Sequence, residues 1–156
     1  MSYDLYLYRV PPGRDPEEVF DEEMELEESG DDASTDDPEL ERYASEIEQV
    51  LGDDATCYRS ARHLAINIPY HFEGAEAQRL YSRVAECLHR ACAEGGLTVY
   101  DPQEGRVIDP RRDLQSMLHS NERGRAMMRE IEAPSRSAPT SRAGPNPPGK
   151  PWWRFW

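Results

Sequence analysis

The chain has 156 residues, 37% of them hydrophobic and 31% charged, with a formal net charge of −13. That length suits one domain, and so large a surplus of carboxylates repels phosphates, which argues against direct nucleic-acid binding. The opening Met-Ser-Tyr-Asp-Leu-Tyr lacks the basic region and apolar run of a signal peptide, no window approaches the roughly 20 apolar residues of a membrane span, and Cys57, Cys87 and Cys92 follow no disulfide framework, so the expectation is a cytoplasmic protein with reduced thiols.

The charge is unevenly spread. Residues 1–54 hold 20 Asp/Glu against three Arg, residues 55–133 hold 11 of each sign, and residues 134–156 hold four basic residues and no acid. An acidic front, a neutral middle and a basic tail result. Tyr3 to Val10 alternates Tyr3, Leu5 and Leu7 with Asp4, Tyr6 and Tyr8, a period of two that predicts a strand with its second face partly covered. Pro11-Pro12-Gly13 ends it, because proline cannot continue a ladder.

From about 14 to 37 runs an acidic insertion that includes Glu22, Glu23, Glu25 and Asp31. Val19, Phe20, Met24 and Leu26 form one weak helical stripe from Pro16 to about Glu28, so the stretch reads as a solvated acidic loop with a marginal helix, or as a binding surface for a basic partner. It contains no Asp-x-Asp-x-Asp-Gly loop with a distal Glu, so calcium is not expected.

Asp37-Pro38 is a helix start, and Leu40, Tyr43, Ala44, Ile47, Val50 and Leu51 recur at helical spacing up to Gly52. Ala55 to Ala61 reads as a short strand leading into His63–Phe72, where Leu64, Ile66, Ile68 and Tyr70 alternate with His63, Ala65 and Asn67. The spacing of Ala77, Leu80, Tyr81, Val84, Leu88 and Ala91 predicts a helix over 75–94, closed by Gly95-Gly96. Leu97 to Tyr100 is a strand that Pro102 to Gly105 turns back into Arg106 to Ile108. Asp109-Pro110 opens a last helix through Leu114, Met117 and Leu118, which Gly124 weakens before Met127, Met128 and Ile131. The order predicts an α+β fold, a ferredoxin-like or related two-layer sandwich with an antiparallel sheet and helices on one face, over residues 1–133. Residues 134–156 are a flexible Pro/Ser-rich linker ending in Trp152, Trp153, Phe155 and Trp156.

No catalytic constellation is legible. The four histidines share no metal-ligand spacing, no Ser or Cys stands in a triad pattern, and no glycine-rich phosphate loop follows a strand, so neither metal nor cofactor is expected. His63 reads as a surface strand residue. Tyr70, His71, Asp101 and Gln103, at the ends of neighbouring strands, form either a recognition patch for a ligand-binding or small enzymatic domain, or turn chemistry in which the Asp101 carboxylate accepts backbone N–H groups. The aromatic tail either folds back on the domain, inserts into a partner, or touches a membrane interface.

In Met-Ser-Tyr-Asp-Leu-Tyr, Gly-Leu-Thr-Val-Tyr-Asp-Pro-Gln and Lys-Pro-Trp-Trp-Arg-Phe-Trp, the chain resembles a group of small bacterial proteins, several of which look like immunity proteins cognate to polymorphic or contact-dependent toxins. The likeness spans residues 1–10, 63–109 and 150–156 and leaves the acidic insertion unmatched. It implies a protein that binds and blocks a toxin, with a basic toxin as the expected partner and no catalytic residue to carry over.

Overall fold

The alternation at the start of the chain builds the central strand. In a computed structural model of the protein, which describes residues 1–29, 37–60 and 62–132, β1 (Ser2–Tyr8) pairs antiparallel with β3 (His63–Pro69) and with β4 (Thr98–Asp101). β2 (Thr56–Arg59) lies outside β3 and β5 (Arg106–Val107) outside β4, so the order is β2-β3-β1-β4-β5 and every pairing is antiparallel. In register, Leu5 stands opposite Ile66, and Leu7 stands between Leu64 and Val99. All five side chains are fully buried on one face of the sheet.

Two helices cover that face. α2 (Pro38–Leu51) begins where expected, with the Asp37 carboxylate accepting the Glu39 N–H at 2.9 Å. Its buried stripe, Leu40, Tyr43, Ala44, Ile47 and Leu51, meets Ala77, Leu80, Tyr81, Val84, Leu88 and Ala91 of α3 (Gly74–Gly95) in one core with the sheet. This is the expected α+β layering of a sheet and a helical layer, to which α1 (Pro16–Ser29) adds a helix on the opposite face, and β2-β3-β1-β4 follows the strand order of a ferredoxin-like sandwich. The Gly95-Gly96 pair divides its work. Gly96 takes a left-handed conformation (φ 63°) and ends α3, whereas Gly95 is small because a Cβ there would overlap the Tyr43 ring.

Three local expectations change. The last helix, α4 (Leu114–Glu132), starts later than Asp109-Pro110, because the Asp109 carboxylate is used to close a turn on the Arg111 and Arg112 N–H groups (3.1 and 3.2 Å). α4 runs unbroken through Gly124, whose missing Cβ lets the Tyr70 ring lie against the helix backbone where any Cβ would overlap it. His63 is buried, not a surface residue, because α1 (Pro16–Ser29) lies over the second face of the sheet. The linker and aromatic motif at 134–156 lie outside the described residues.

Candidate functional site

The acidic insertion is built from its first turn upward. Asp15 accepts the Glu17 and Glu18 N–H groups at 2.9 and 3.3 Å, and the Tyr8 hydroxyl donates to the Pro16 carbonyl at 2.7 Å, which ties the start of α1 to β1. Val19, Phe20 and Met24 then point at the sheet and join Tyr8 and Tyr100 in a small second core. The Phe20 ring sits 4.3 Å from Tyr100, 5.0 Å from Tyr6 and 5.9 Å from Tyr8, centroid to centroid. Burial pushes the Tyr6 hydroxyl up to about 12, with Asp4 and Glu27 adding to it. The tyrosines on this face are therefore neutral aromatic surface.

The outward face of the same helix is carboxylate. Glu17, Glu18, Glu22 and Glu25 are exposed and Glu23 is half-buried. Glu22 pairs with Arg14 at 2.6 Å and Glu23 faces Arg62 at 3.5 Å. Asp31, the fourth residue expected in this surface, lies outside the described residues, as do Trp152, Trp153, Phe155 and Trp156. α2 continues the acidic exposure with Glu39 and Glu41, partnered by Arg42 and Arg59.

The strand-end group is a different kind of place. Asp101 is buried, its Oδ2 accepts the Tyr3 hydroxyl, and its Oδ1 accepts the Gln103 and Glu104 N–H groups at 2.9 and 3.1 Å. With its amide nitrogen turned inward, Gln103 donates to the Asp4 carbonyl (2.9 Å) and to Asp101 Oδ1 (3.0 Å). Burial raises the Asp101 pKa, while the Tyr3 and backbone hydrogen bonds pull it back. The arrangement is the turn chemistry that the Asp-Pro-Gln run permits, and it brings Asp101 and Gln103 together with Tyr3. Tyr70 is half-buried against α4, its hydroxyl pushed up to about 12 by burial first and then by Asp4 and Asp101. His71 is exposed and stacks on Phe72, with ring centroids 4.1 Å apart. The turn is tied to α4 by Glu104, which accepts the Ser120 hydroxyl at 2.7 Å and an Arg123 N–H.

One concavity, of about 200 Å³, lies between the start of α3 and α4 and is lined by Glu73, Gln78, His119, Asn121 and Arg125 among others. Its walls come from segments some 40 residues apart that no sequence motif links. Glu73 already pairs with Arg125, and Asn121 Nδ2 donates to the Phe72 carbonyl at 3.1 Å. Among the described residues no group of three or more His, Cys, Asp or Glu is placed to hold a metal ion, and no helix is long and apolar enough to cross a membrane. Burial pushes the Cys57 and Cys92 thiols up to about 11, so they are protonated near neutral pH and poor nucleophiles. Comparison with known proteins returned no matching family model, no matching characterised protein and no matching solved structure.

Proposed function

We propose that the protein is a non-enzymatic binding protein, an immunity protein that neutralises a cognate effector toxin through its acidic surface. One observation carries this reading: α1 keeps Val19, Phe20 and Met24 against the sheet and turns Glu17, Glu18, Glu22 and Glu25 to solvent. The carboxylates therefore stand on a helix held against the domain, at spacings a basic partner can meet. Effector toxins that act on nucleic acid carry basic surfaces, and an acidic plug complements them. Opposite fields of this kind raise the association rate and select the partner more than they set raw affinity. The aromatic motif Trp152, Trp153, Phe155 and Trp156 supplies the second part of the interface, since Trp and Arg dominate interface hot spots. The setting is the bacterial cytoplasm, where Cys57, Cys87 and Cys92 remain free thiols.

The test is co-purification of the tagged chain with the product of the neighbouring gene, followed by association kinetics. Reversing Glu22, Glu23, Glu25 and Asp31 to Lys is expected to slow association strongly at low salt while leaving the fold intact. The wild-type rate should fall as salt rises to about 0.5 M, where the screening length is only a few ångströms. Association unchanged by the reversal at low salt removes the acidic insertion from the interface.

A further inference from the structure

We propose that the apolar stripe on the last turns of α4 is the docking surface for this chain's own aromatic motif, Trp152, Trp153, Phe155 and Trp156. The stripe continues a core contact. Leu114, Met117, Asn121, Gly124, Met128 and Ile131 recur at alternating spacings of three and four, so they share one face of the helix. The domain uses the first part of that face. Leu114 packs against the main core, Met117 is fully buried in it, Asn121 donates to the Phe72 carbonyl, and the Tyr70 ring lies on Gly124. Beyond Gly124 the cover ends. Met128 is half-buried, Met127 beside it is 42% exposed and Ile131 is 60% exposed. The other exposed large hydrophobics among the described residues are not grouped in this way: Tyr58 and Val107 stand singly on the edge strands β2 and β5, and Met1 precedes β1.

Tether, chemistry and charge choose the occupant. Twenty residues carry the chain from Glu132 to Trp152, a coil span of about 25 Å, whereas Met127 to Ile131 occupy only about 6 Å of helix axis. A motif tethered this closely meets the stripe at millimolar effective concentration. Methionine thioethers make favourable contacts with aromatic rings, and the stripe offers Met127 and Met128 to three indoles and a phenyl ring. Residues 134–156 hold four basic residues and no acid, while residues 1–54 hold a surplus of 17 acids, so this segment and the domain attract. Exposed Glu130, within one turn of both Met127 and Ile131, offers a carboxylate to Arg154. A second copy is the poorer occupant, because each copy carries −13 and the two repel. The inference concerns the free chain and does not rest on the toxin reading; on that reading, α4 covers one side of the motif and the partner covers the other.

The experiment is NMR of the methionine ε-methyl groups in the full-length chain. Its reference is the full-length variant Trp152→Ala/Trp153→Ala/Phe155→Ala/Trp156→Ala, which changes no described residue. Met127 and Met128 should resonate upfield of their positions in that variant, because they lie against indole faces, while the buried Met24 and Met117 stay in place. Identical Met127 and Met128 positions overturn the proposal. A difference that grows with protein concentration also overturns it, because the motif then sits on a second copy. Tryptophan fluorescence is the second readout, since it reports only residues 152–156. Acrylamide quenching of the full chain should be about half or less of that of the free peptide Lys150–Trp156, as a docked majority requires. Met127→Gln/Ile131→Gln should restore the peptide's value. Quenching unchanged by that substitution overturns the proposal, because another surface then covers the motif. If both readouts report docking and no basic cellular partner is found, the docked motif stands and the toxin reading falls.

Discussion

At the scale of single residues, Asp101 and Gly124 show how much one side chain decides. Asp101 accepts four hydrogen bonds at the end of β4, from the Tyr3 hydroxyl, the Gln103 and Glu104 N–H groups and the Gln103 side-chain amide. Its alanine variant leaves buried donors unmade, at about 1–3 kcal/mol, readable as a shift in urea midpoint. The asparagine variant keeps the Oδ1 acceptor and removes a buried charge, but its amide nitrogen cannot accept the Tyr3 hydroxyl, so it should cost less than the alanine variant without matching wild type at every pH. The pH dependence follows from the raised pKa of Asp101, caused first by burial. A group raised in the folded state contributes stability that is fully present below its unfolded pKa and lost as pH rises through its folded one. The stability of Asp101→Asn relative to wild type should therefore rise as pH rises above the ordinary carboxylate range. A relative stability that falls over that range would sink this account. Gly124→Ala sets helix propensity, which favours alanine by about 1 kcal/mol, against overlap with the Tyr70 ring. Overlap should win, with a net loss of about 1–3 kcal/mol; a raised melting temperature would show that Tyr70 moves aside freely.

At the scale of elements, the two faces of the sheet are held with unequal strength. Ile66 lies in the main core between strands and helices, so Ile66→Ala should cost about 2–5 kcal/mol of global stability. Phe20 is equally well buried, but in the satellite cluster under α1. Truncating it should cost clearly less in a denaturant titration, because the domain can release one helix and stay folded. Equal costs would mean that the satellite and the main core unfold together. Capping supplies a second contrast. The Asp37 carboxylate caps α2 and pairs with Arg9 at 2.9 Å, and its pKa is lowered chiefly by that guanidinium.

At the scale of the whole molecule, ion pairing contributes to the acid limit of stability, each exposed pair by a small amount. Asp37, Glu48, Glu73, Glu104 and Asp113 all have lowered pKa values, four of them chiefly through an arginine and Glu104 chiefly through the Ser120 hydroxyl. A lowered carboxylate contributes stability that is present above its unfolded pKa and lost as pH falls through its folded one. Unfolding should set in below about pH 4, the ordinary carboxylate value, and a melting temperature that holds steady through that range would contradict it. The tryptophans offer an independent readout of binding, since all three lie in residues 152–156. Under the toxin-binding reading, their emission should shift to the blue when the partner is added. Fluorescence that stays red-shifted in the complex would take the aromatic motif out of the interface.

Much of the architecture was legible in the chain alone, for a physical reason. Period-two runs at Tyr3–Tyr8 and His63–Pro69, a period of 3.6 through Ala77–Ala91 and the Asp37-Pro38 cap are local signals, and each states its own geometry. The role of Phe20 was not legible, because a four-residue apolar stripe in an acidic run is marginal by itself and gains meaning only from Tyr6, Tyr8 and Tyr100 beneath it. The same holds for His63, which burial changes from surface to interior, and for Gly124, whose helix-weakening character is overridden by contact with Tyr70. The sequence alone determined strand, helix and turn identities and the placement of charge. Only the tertiary structure decided that Pro16–Ser29 is a helix with one face seated on the sheet, because that depends on aromatic surface brought from strands up to 80 residues away.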